Sequence, residues 1–272
     1  MTAPRDAISS LANPRVKAAV RLRERREREE TGLTLVDGGR ELLRALRQSV
    51  AIDHAFVCRE LVVGPDASAA LDALQRSGAP FVEVSPTVLA RIAFGDRSDG
   101  VVAVIRQPSV ALEDLALGAH PLVVVVEAVE KPGNLGAILR TADAVGASAV
   151  VAADPRTDVF NPNAIRASLG TIFSVPIAVA TASQVLEWLV GRGLTPIAAR
   201  VDAPEPYVGA DLGGSIAIVL GSEAAGLTET WNDPRVRPVR IPMLGVADSL
   251  NVSVAAAILL FEARRQRSAR GV

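Results

Sequence analysis

The chain has 272 residues, which is enough for two modest domains or one large one. Hydrophobic residues make up 49% of it and predict a well-packed core, but no apolar run approaches the roughly 20 residues needed to span a bilayer. A formal net charge of −1 argues against a protein that coats nucleic acid nonspecifically, and the single cysteine, Cys58, excludes an internal disulfide.

The N-terminus lacks the apolar core of a signal peptide, and no Cys/His spacing indicates a metal site. We therefore expect a cytoplasmic protein with neither a membrane partner nor a metal. The first predicted element is a basic helix, in which seven basic residues lie between Arg15 and Arg28. Local basic patches on a neutral protein suit a partner bound at defined places, such as RNA. Mixed Arg and Glu at helical spacing are also typical of a solvated helix face with ion pairs, so both interpretations stay open.

Residues 13–106 are predicted to form a small α/β unit, because short apolar strands alternate with helical periods. This alternation predicts a mixed sheet with helices on its faces. Strands are predicted at 33–37, 51–58, 61–63, 81–85 and 100–106, and further helices at 39–49, 66–78 and 86–93.

Residues 121–272 are predicted to form a second α/β unit, preceded by a Pro-flanked linker at 107–120. Its strands are runs of continuous apolar residues, which is typical of parallel strands buried on both faces. These runs lie at 121–126, 148–153, 175–180, 195–200, 215–221 and 239–243. Helices are predicted between them at 134–146, 161–173 and 182–193, and a long last helix at about 249–268.

Three polar segments interrupt the apolar pattern of the second unit. They are NLGAILRT (134–141), LGSEAAGL (220–227), and IPM (241–243) followed by SLNVS (249–253). Each lies at the C-terminal end of a predicted strand, at the edge where open α/β sheets bind ligands. Singly, each has a structural explanation: Asn134 or Ser249 as a helix N-cap, and Glu223 as a carboxylate at a helix start. The glycines near Asn134 also lack the order of a dinucleotide-binding turn.

Together, these segments resemble the three signature motifs of the SpoU-type (TrmH-like) RNA ribose 2′-O-methyltransferases of the SPOUT superfamily. The resemblance covers roughly residues 121–265. Residues 13–106 are similar, more loosely, to the N-terminal RNA-recognition domain, with a ribosomal-protein fold, of members that act on large ribosomal RNA. The resemblance implies an α/β protein with an RNA-recognition domain at 1–106 and a trefoil-knotted methyltransferase domain at 121–272.

The resemblance also implies a homodimeric enzyme that uses S-adenosyl-L-methionine to methylate a ribose 2′-hydroxyl of RNA, foremost large-subunit ribosomal RNA. A tRNA ribose methyltransferase and a non-catalytic RNA-binding protein on the same fold are the alternatives. The alanine-rich last helix is apolar enough to form a dimer interface, although a place in the core of one chain explains it equally well.

The resemblance assigns site residues as well. The implied catalytic residues are Asn134, Arg140, Glu223, Ser249 and Asn251. The cofactor is expected to be held mainly by main chain, at Leu220, Gly221, Ser222, Glu223, Ile241, Met243, Ser249, Leu250 and Asn251. RNA contacts are expected from Arg15, Lys17, Arg21, Arg23, Arg25, Arg26, Arg140 and Arg166, with a buried ion pair as the alternative role of Arg166. Since a guanidinium is practically always protonated, Arg140 is either an unusual base or a residue that positions the ribose.

Overall fold

A computed structural model describes residues 7–94, 99–223 and 225–271 of the chain. These residues form two compact units. The N-terminal unit is the described part of Met1–Pro108 together with Phe160–Ser174, and the C-terminal unit is that of Ser109–Val159 with Val175–Val272. Phe160–Ser174, placed in the second domain on sequence grounds, thus packs with the first unit. Within the described ranges, no helix has both the length and the apolar character that a membrane span requires.

The described residues contain ten strands and nine α-helices. The strands are β1 (Leu33–Asp37), β2 (Ile52–Val57), β3 (Phe81–Glu83), β4 (Val101–Arg106), β5 (Leu122–Glu127), β6 (Ala149–Ala153), β7 (Ile177–Ala180), β8 (Thr195–Ala199), β9 (Ile216–Leu220) and β10 (Arg237–Val239). The helices are α1 (Pro14–Arg21), α2 (Arg25–Thr31), α3 (Gly39–Arg47), α4 (Pro65–Ser77), α5 (Pro86–Ile92), α6 (Pro132–Val145), α7 (Pro162–Ala167), α8 (Ala182–Gly191) and α9 (Val252–Ala269).

The N-terminal unit is built on a mixed four-stranded sheet in the order β1-β4-β2-β3. Strand β4 runs antiparallel to β1 and β2, and β2 runs parallel to β3. The strand predicted at 61–63 is wrong: Arg59–Leu61 is a short 3-10 helix, and α4 begins soon after, at Pro65. Gly64 has a positive φ and Pro65 is the first residue of α4, so the chain turns into that helix directly after these apolar residues.

The segment Phe160–Ser174 is fastened to this unit by buried polar contacts. The hydroxyl of Thr34, on β1, donates to the carbonyl oxygen of Phe160 at 2.7 Å. Arg166, on α7, donates at 2.9 Å to Asp37, whose side chain is only 2% exposed. These contacts join α7 to the end of β1, which explains why a segment from the middle of the chain belongs to the N-terminal unit.

The C-terminal unit contains a six-stranded sheet in the order β10-β8-β9-β5-β6-β7. All five strand pairings are parallel, and every residue of β5, β6 and β9 is buried, which confirms the prediction from continuous apolar runs. The last strand lies earlier than predicted, at Arg237–Val239 instead of 239–243. Its pairing with β8 ends at Ala199, so Ile241 and Met243 lie in irregular chain beyond the sheet.

Part of the predicted linker belongs to the C-terminal unit. The amide of Val179, on β7, donates to the carbonyl oxygen of Val110 at 2.8 Å. Leu112 and Leu115 are buried in the core on one face of the six-stranded sheet. Helices α6 and α9 pack against each other, and α9 also contacts β9. This packing brings the starts of α6 and α9 near the carboxyl ends of β5 and β9.

Candidate active site

Glu223 is the point at which the three polar segments of the C-terminal unit meet. Its carboxylate accepts hydrogen bonds from Lys131 Nζ at 2.5 Å and Asn134 Nδ2 at 2.5 Å. It also accepts one from Asn251 Nδ2 at 2.8 Å, and that amide lies 3.3 Å from Asn134 Oδ1. One carboxylate therefore joins residues that follow three different strands of the sheet.

Helix capping sets the direction of the two asparagines. Asn251 is the N-cap of α9, and its Oδ1 accepts from the Ser253 amide at 2.9 Å and the Ser253 hydroxyl at 2.6 Å. Its Nδ2 is thereby left to face Glu223. The cap of α6 is Lys131, so Asn134 lies within the first turn and its side chain is available to Glu223. Neither Asn134 nor Ser249 has the capping role considered for it.

The loop that carries Glu223 is tightly folded. Ser222 and Gly226 exchange two main-chain hydrogen bonds, each of 3.0 Å. A Cβ atom at Gly221 would collide with the main chain of Gly226 and Leu227, so this position requires glycine. Glu223 lies in this turn and not at a helix start; Ala224, also of the motif, lies outside the described residues.

The contacts of Glu223 also set its charge. Hydrogen bonds from Lys131 and Asn134 hold the pKa of Glu223 below its ordinary value, and the bond to Glu223 raises the pKa of Lys131. At neutral pH the pair is an ammonium and a carboxylate. Glu223 is accordingly an acceptor that orients neighbouring donors, and not a proton donor.

A cavity of about 680 Å³ opens beside this junction, within the C-terminal unit. It is lined by residues 199–202, 220–223, 225–227, 241, 243, 248–250, 252 and 255. These include each predicted cofactor-binding residue except Asn251, whose side chain instead contacts Glu223. Its size falls in the range of small-molecule sites, and a glycine-bearing turn forms part of its wall.

A smaller cavity of about 180 Å³ adjoins the first one and shares Gly221, Ser222, Glu223 and Val252 with it. It is also lined by Lys131, Asn134 and the buried carboxylate of Glu127. No role was predicted for Glu127 or Lys131. The signal in the sequence was the acid that ends an otherwise apolar strand, followed closely by a lysine at the helix start.

Arg140 stands apart from the other implied catalytic residues. It is exposed on α6, six residues after Asn134 and thus roughly 120° away around the helix axis. It lines neither cavity, and its guanidinium makes no hydrogen bond or ion pair with any residue that the structure describes. Ser249, in contrast, lies in the wall of the larger cavity.

The six basic residues between positions 15 and 26 that were predicted to contact RNA fall into three groups. Arg21, Arg25 and Arg26 each form an ion pair with a glutamate of α2, at 3.0, 2.7 and 2.7 Å. Arg23 donates to the carbonyl oxygens of Arg91 and Ala93 at the end of α5. Arg15 and Lys17 are exposed on α1. The first group therefore fits the alternative interpretation of the basic helix, a solvated face with ion pairs. RNA contact by these residues stays a prediction.

Arg166 has the ion-pair role that the sequence offered as its alternative. Besides Asp37, it donates to the carbonyl oxygen of Phe94 at 2.7 Å. Burial raises the pKa of Asp37. The hydrogen bond from the Phe94 amide and the charge of Arg166 lower it by a smaller amount, and the pKa that results is about 6.

No cluster of His, Cys, Asp and Glu side chains suited to a metal occurs among residues 7–94, 99–223 and 225–271.

Comparison with known proteins gives two family matches. Residues 121–261 match the model of the SpoU rRNA Methylase family, and residues 13–103 match an MRM3-like substrate binding domain. The chain is 38% identical to a 23S rRNA (guanosine-2′-O-)-methyltransferase, RlmB, of Ralstonia nicotianae, over 73% of this chain and 82% of that one.

Two solved structures extend the likeness over nearly the whole chain. An RNA 2′-O ribose methyltransferase superposes with a TM-score of 0.84 and 40% identity, covering 96% of this chain and 99% of that one. The AdoMet-bound rRNA methyltransferase of Sinorhizobium meliloti superposes with a TM-score of 0.86 and 31% identity, covering 95% and 97%.

Proposed function

The chain belongs to the SpoU rRNA Methylase family, and we propose that it methylates a ribose 2′-hydroxyl of large-subunit ribosomal RNA with S-adenosyl-L-methionine. The observation that carries this proposal is the junction of Glu223 with Asn134 and Asn251 beside the 680 Å³ cavity. The 23S rRNA methyltransferases among the relatives, and an AdoMet-bound solved structure, support both the substrate and the cofactor.

The cavity fits such a cofactor. The apolar part of its wall is formed by Leu220, Ile241, Met243 and Leu250. Gly221 has no side chain, so a ligand can approach the main chain of the turn there. Asp202, Asp248 and Glu223 place carboxylates in the same wall, which suits a ligand that carries ammonium and sulfonium cations. The cofactor, when bound, supplies a methyl group on a cationic sulfur that is already a good leaving group.

The chain must therefore orient the ribose hydroxyl and assist the loss of its proton. We assign Arg140 to positioning the ribose and its phosphate, because an exposed guanidinium with no partner among the described residues has its donors available. Glu223 holds Asn134 and Asn251 in fixed directions, and Ser249 shapes the cavity wall. The proton is then passed to phosphate or water and not to the guanidinium.

We assign RNA recognition to the N-terminal unit. The match of residues 13–103 to a substrate binding domain supports this, and the exposed Arg15 and Lys17 are its first candidate contacts. The domain limits along the sequence, 1–106 and 121–272 with a linker at 107–120, belong to the same proposal, although Phe160–Ser174 packs with the N-terminal unit and part of the linker with the C-terminal one. The trefoil knot of the second domain is also part of it. Since the substrate is ribosomal RNA, we place the reaction in the cytoplasm.

We propose that the enzyme is a homodimer. On α9, Val254, Ala257, Ile258 and Phe261 follow helical spacing and form an apolar stripe, with Val254 46% and Phe261 55% exposed. Two copies that share this stripe would bury it. Sedimentation of the Phe261→Glu variant, compared with the wild type, tests the proposal: a dimeric variant would exclude this stripe as the interface.

Mapping of ribose methylations on ribosomal RNA, with and without the gene, tests the proposed reaction. One 2′-O-methyl group on the large-subunit RNA should disappear with the gene and return when purified protein and S-adenosyl-L-methionine are added. Calorimetric titration of the protein with the cofactor is the second measurement. A methyl group lost from tRNA instead would favour the tRNA enzyme, and absence of cofactor binding would favour a non-catalytic RNA-binding protein.

A further inference from the structure

Glu127 ends β5 with a carboxylate that is almost entirely removed from solvent, at 1% exposure. Oε2 accepts a hydrogen bond of 2.8 Å from the Thr228 amide, and Oε1 accepts one of 2.6 Å from the Thr228 hydroxyl. Burial of a carboxylate is costly unless hydrogen bonds compensate it. Here a single residue supplies a bond to each of the two oxygens, so the pair forms a clasp between two chain segments.

The clasp closes the loop that carries Glu223. Val126 is paired with Leu220 in the sheet, so the chain leaves β9 beside the end of β5 and returns to that point at Thr228. Between these ends, the described residues 221–223 and 225–227 line the larger cavity. Without the clasp, the returning end of the loop loses both of the hydrogen bonds that tie it to Glu127.

We propose that Glu127 is a positioning residue that acts through Thr228 to hold the 221–228 loop in the form that binds the cofactor. A loop held in place before binding spares the ligand the entropic cost of ordering it. The same restraint keeps Glu223 within reach of Asn134 and Asn251. The identity of the ligand rests on the proposed function, whereas the clasp itself is a property of the chain alone.

Two variants interrupt the clasp at its two ends. In Glu127→Gln, the charge is lost and one acceptor oxygen becomes an NH₂ group, so the side chain can no longer accept from both the amide and the hydroxyl of Thr228, and the contacts that remain are the weaker bonds of neutral groups. In Thr228→Val only the hydroxyl is lost, while Thr228→Ser keeps both donors. The matched control is Asp154→Asn: Asp154 follows β6 at the same edge of the sheet and accepts the Ala182 amide at 2.8 Å, but it lines neither cavity.

Cofactor affinity is measured by calorimetric titration of the full chain. We expect Kd for S-adenosyl-L-methionine to rise about tenfold in Glu127→Gln and a few-fold in Thr228→Val, and to change less than about twofold in Thr228→Ser and in the control. The double variant Glu127→Gln/Thr228→Val should bind no more weakly than Glu127→Gln alone, because both changes break one unit. Additive effects would show that Glu127 acts on the ligand directly and would overturn the proposal.

Amide hydrogen exchange in the protein without ligand gives an independent readout. Glu127→Gln should speed exchange across residues 222–228, whereas Asp154→Asn should leave these amides unchanged. Unchanged exchange in Glu127→Gln would overturn the clasp. A wild-type protein that binds no cofactor would instead contradict the proposed function, and the exchange result would still decide whether Glu127 holds the loop.

Discussion

Asn251 and Glu223 are joined by a 2.8 Å hydrogen bond that ties the first residue before α9 to the loop after β9. The donor is fixed because the other end of the same amide caps the helix through Ser253. The acceptor is fixed because Asn134 donates to the same oxygen, Oε1, and Lys131 donates to the other, Oε2. The direction of each group therefore depends on contacts made by different parts of the chain.

Glu223→Gln is expected to lower methyl transfer at least about 30-fold, which corresponds to roughly 2 kcal/mol for disrupted charged hydrogen bonds. The amide NH₂ would face a donor on Lys131, Asn134 or Asn251, whichever way it turns. Single-turnover rates on ribosomal RNA measure the effect. Glu229→Gln, at an exposed position of the 3-10 helix that follows, serves as the control and should keep wild-type rates. Equal rates for the two variants would show that Glu223 has no role in methyl transfer.

Arg140→Ala is expected to lower kcat about 100-fold or more, because it removes a cationic donor aimed at substrate. Kd for S-adenosyl-L-methionine should stay within about twofold of wild type, since Arg140 lines neither cavity. Arg140→Lys should restore part of kcat by keeping the charge without the guanidinium geometry. Arg76→Ala, at another exposed helical position, is the control. A large loss of cofactor affinity in Arg140→Ala would contradict the positioning role.

Gly221→Ala is expected to raise Kd for the cofactor at least about tenfold. The added methyl group would collide with the main chain of Gly226 and displace the turn that lines the cavity. Gly214→Ala is the matched control, because a Cβ there meets no atom within 4 Å. Calorimetric titration of both variants measures the difference. Wild-type affinity in Gly221→Ala would show that the turn accommodates the methyl group and that cofactor binding does not require glycine at this position.

The sequence predicted β1 at 33–37, where the structure has it, because the strand is bracketed by Gly32 and Gly38, both with positive φ. The parallel sheet followed equally well from continuous apolar runs. Local pattern did not reveal that Phe160–Ser174 joins the N-terminal unit. The helical period of the sequence predicts that a helix forms, but it does not predict what the helix packs against. That depends on contacts such as the ion pair of Arg166 with Asp37, which are 129 positions apart.

The sequence likewise predicted the residues of the candidate site but not the contacts between them. The motifs named Asn134, Glu223 and Asn251, but nothing local indicated that a single carboxylate receives both asparagines. Lys131 was missed because its partner is 92 residues away along the chain. Glu127 was visible as an acid at the end of an apolar strand, yet its bond to Thr228 depends on the return path of a loop. Residue type and strand order predict where a site lies, and only the path of the loops determines its contacts.

Stability of the N-terminal unit is expected to fall as pH rises through the titration of Asp37. Burial raises the pKa of Asp37 from 3.8 to about 6, so the folded unit binds this proton more tightly than the unfolded chain does. The resulting stabilisation is complete below about pH 4 and lost as pH rises through about 6. The wild type should therefore lose roughly 3 kcal/mol relative to Asp37→Asn between pH 4 and pH 7.

Denaturant unfolding of both proteins across this pH range measures that difference. Circular dichroism is the suitable probe because Trp188 and Trp231, the only tryptophans, lie in the C-terminal unit. A stability difference that stays constant with pH would contradict the raised pKa of Asp37.

Arg267→Met is expected to destabilise the C-terminal unit by about 3 kcal/mol. The buried guanidinium of Arg267 donates to the carbonyl oxygens of His120 and Pro121 at 2.8 Å each, and to that of Gly214. It thereby ties the end of α9 to the chain before β5 and β9, and methionine would leave buried acceptors without donors. Arg264→Met, at an exposed position of the same helix, is the matched control. Thermal unfolding followed by tryptophan fluorescence should show Tm lower by roughly 6–12 °C in Arg267→Met but not in Arg264→Met. Equal Tm values for the two variants would show that the hydrogen bonds of Arg267 do not stabilise the unit.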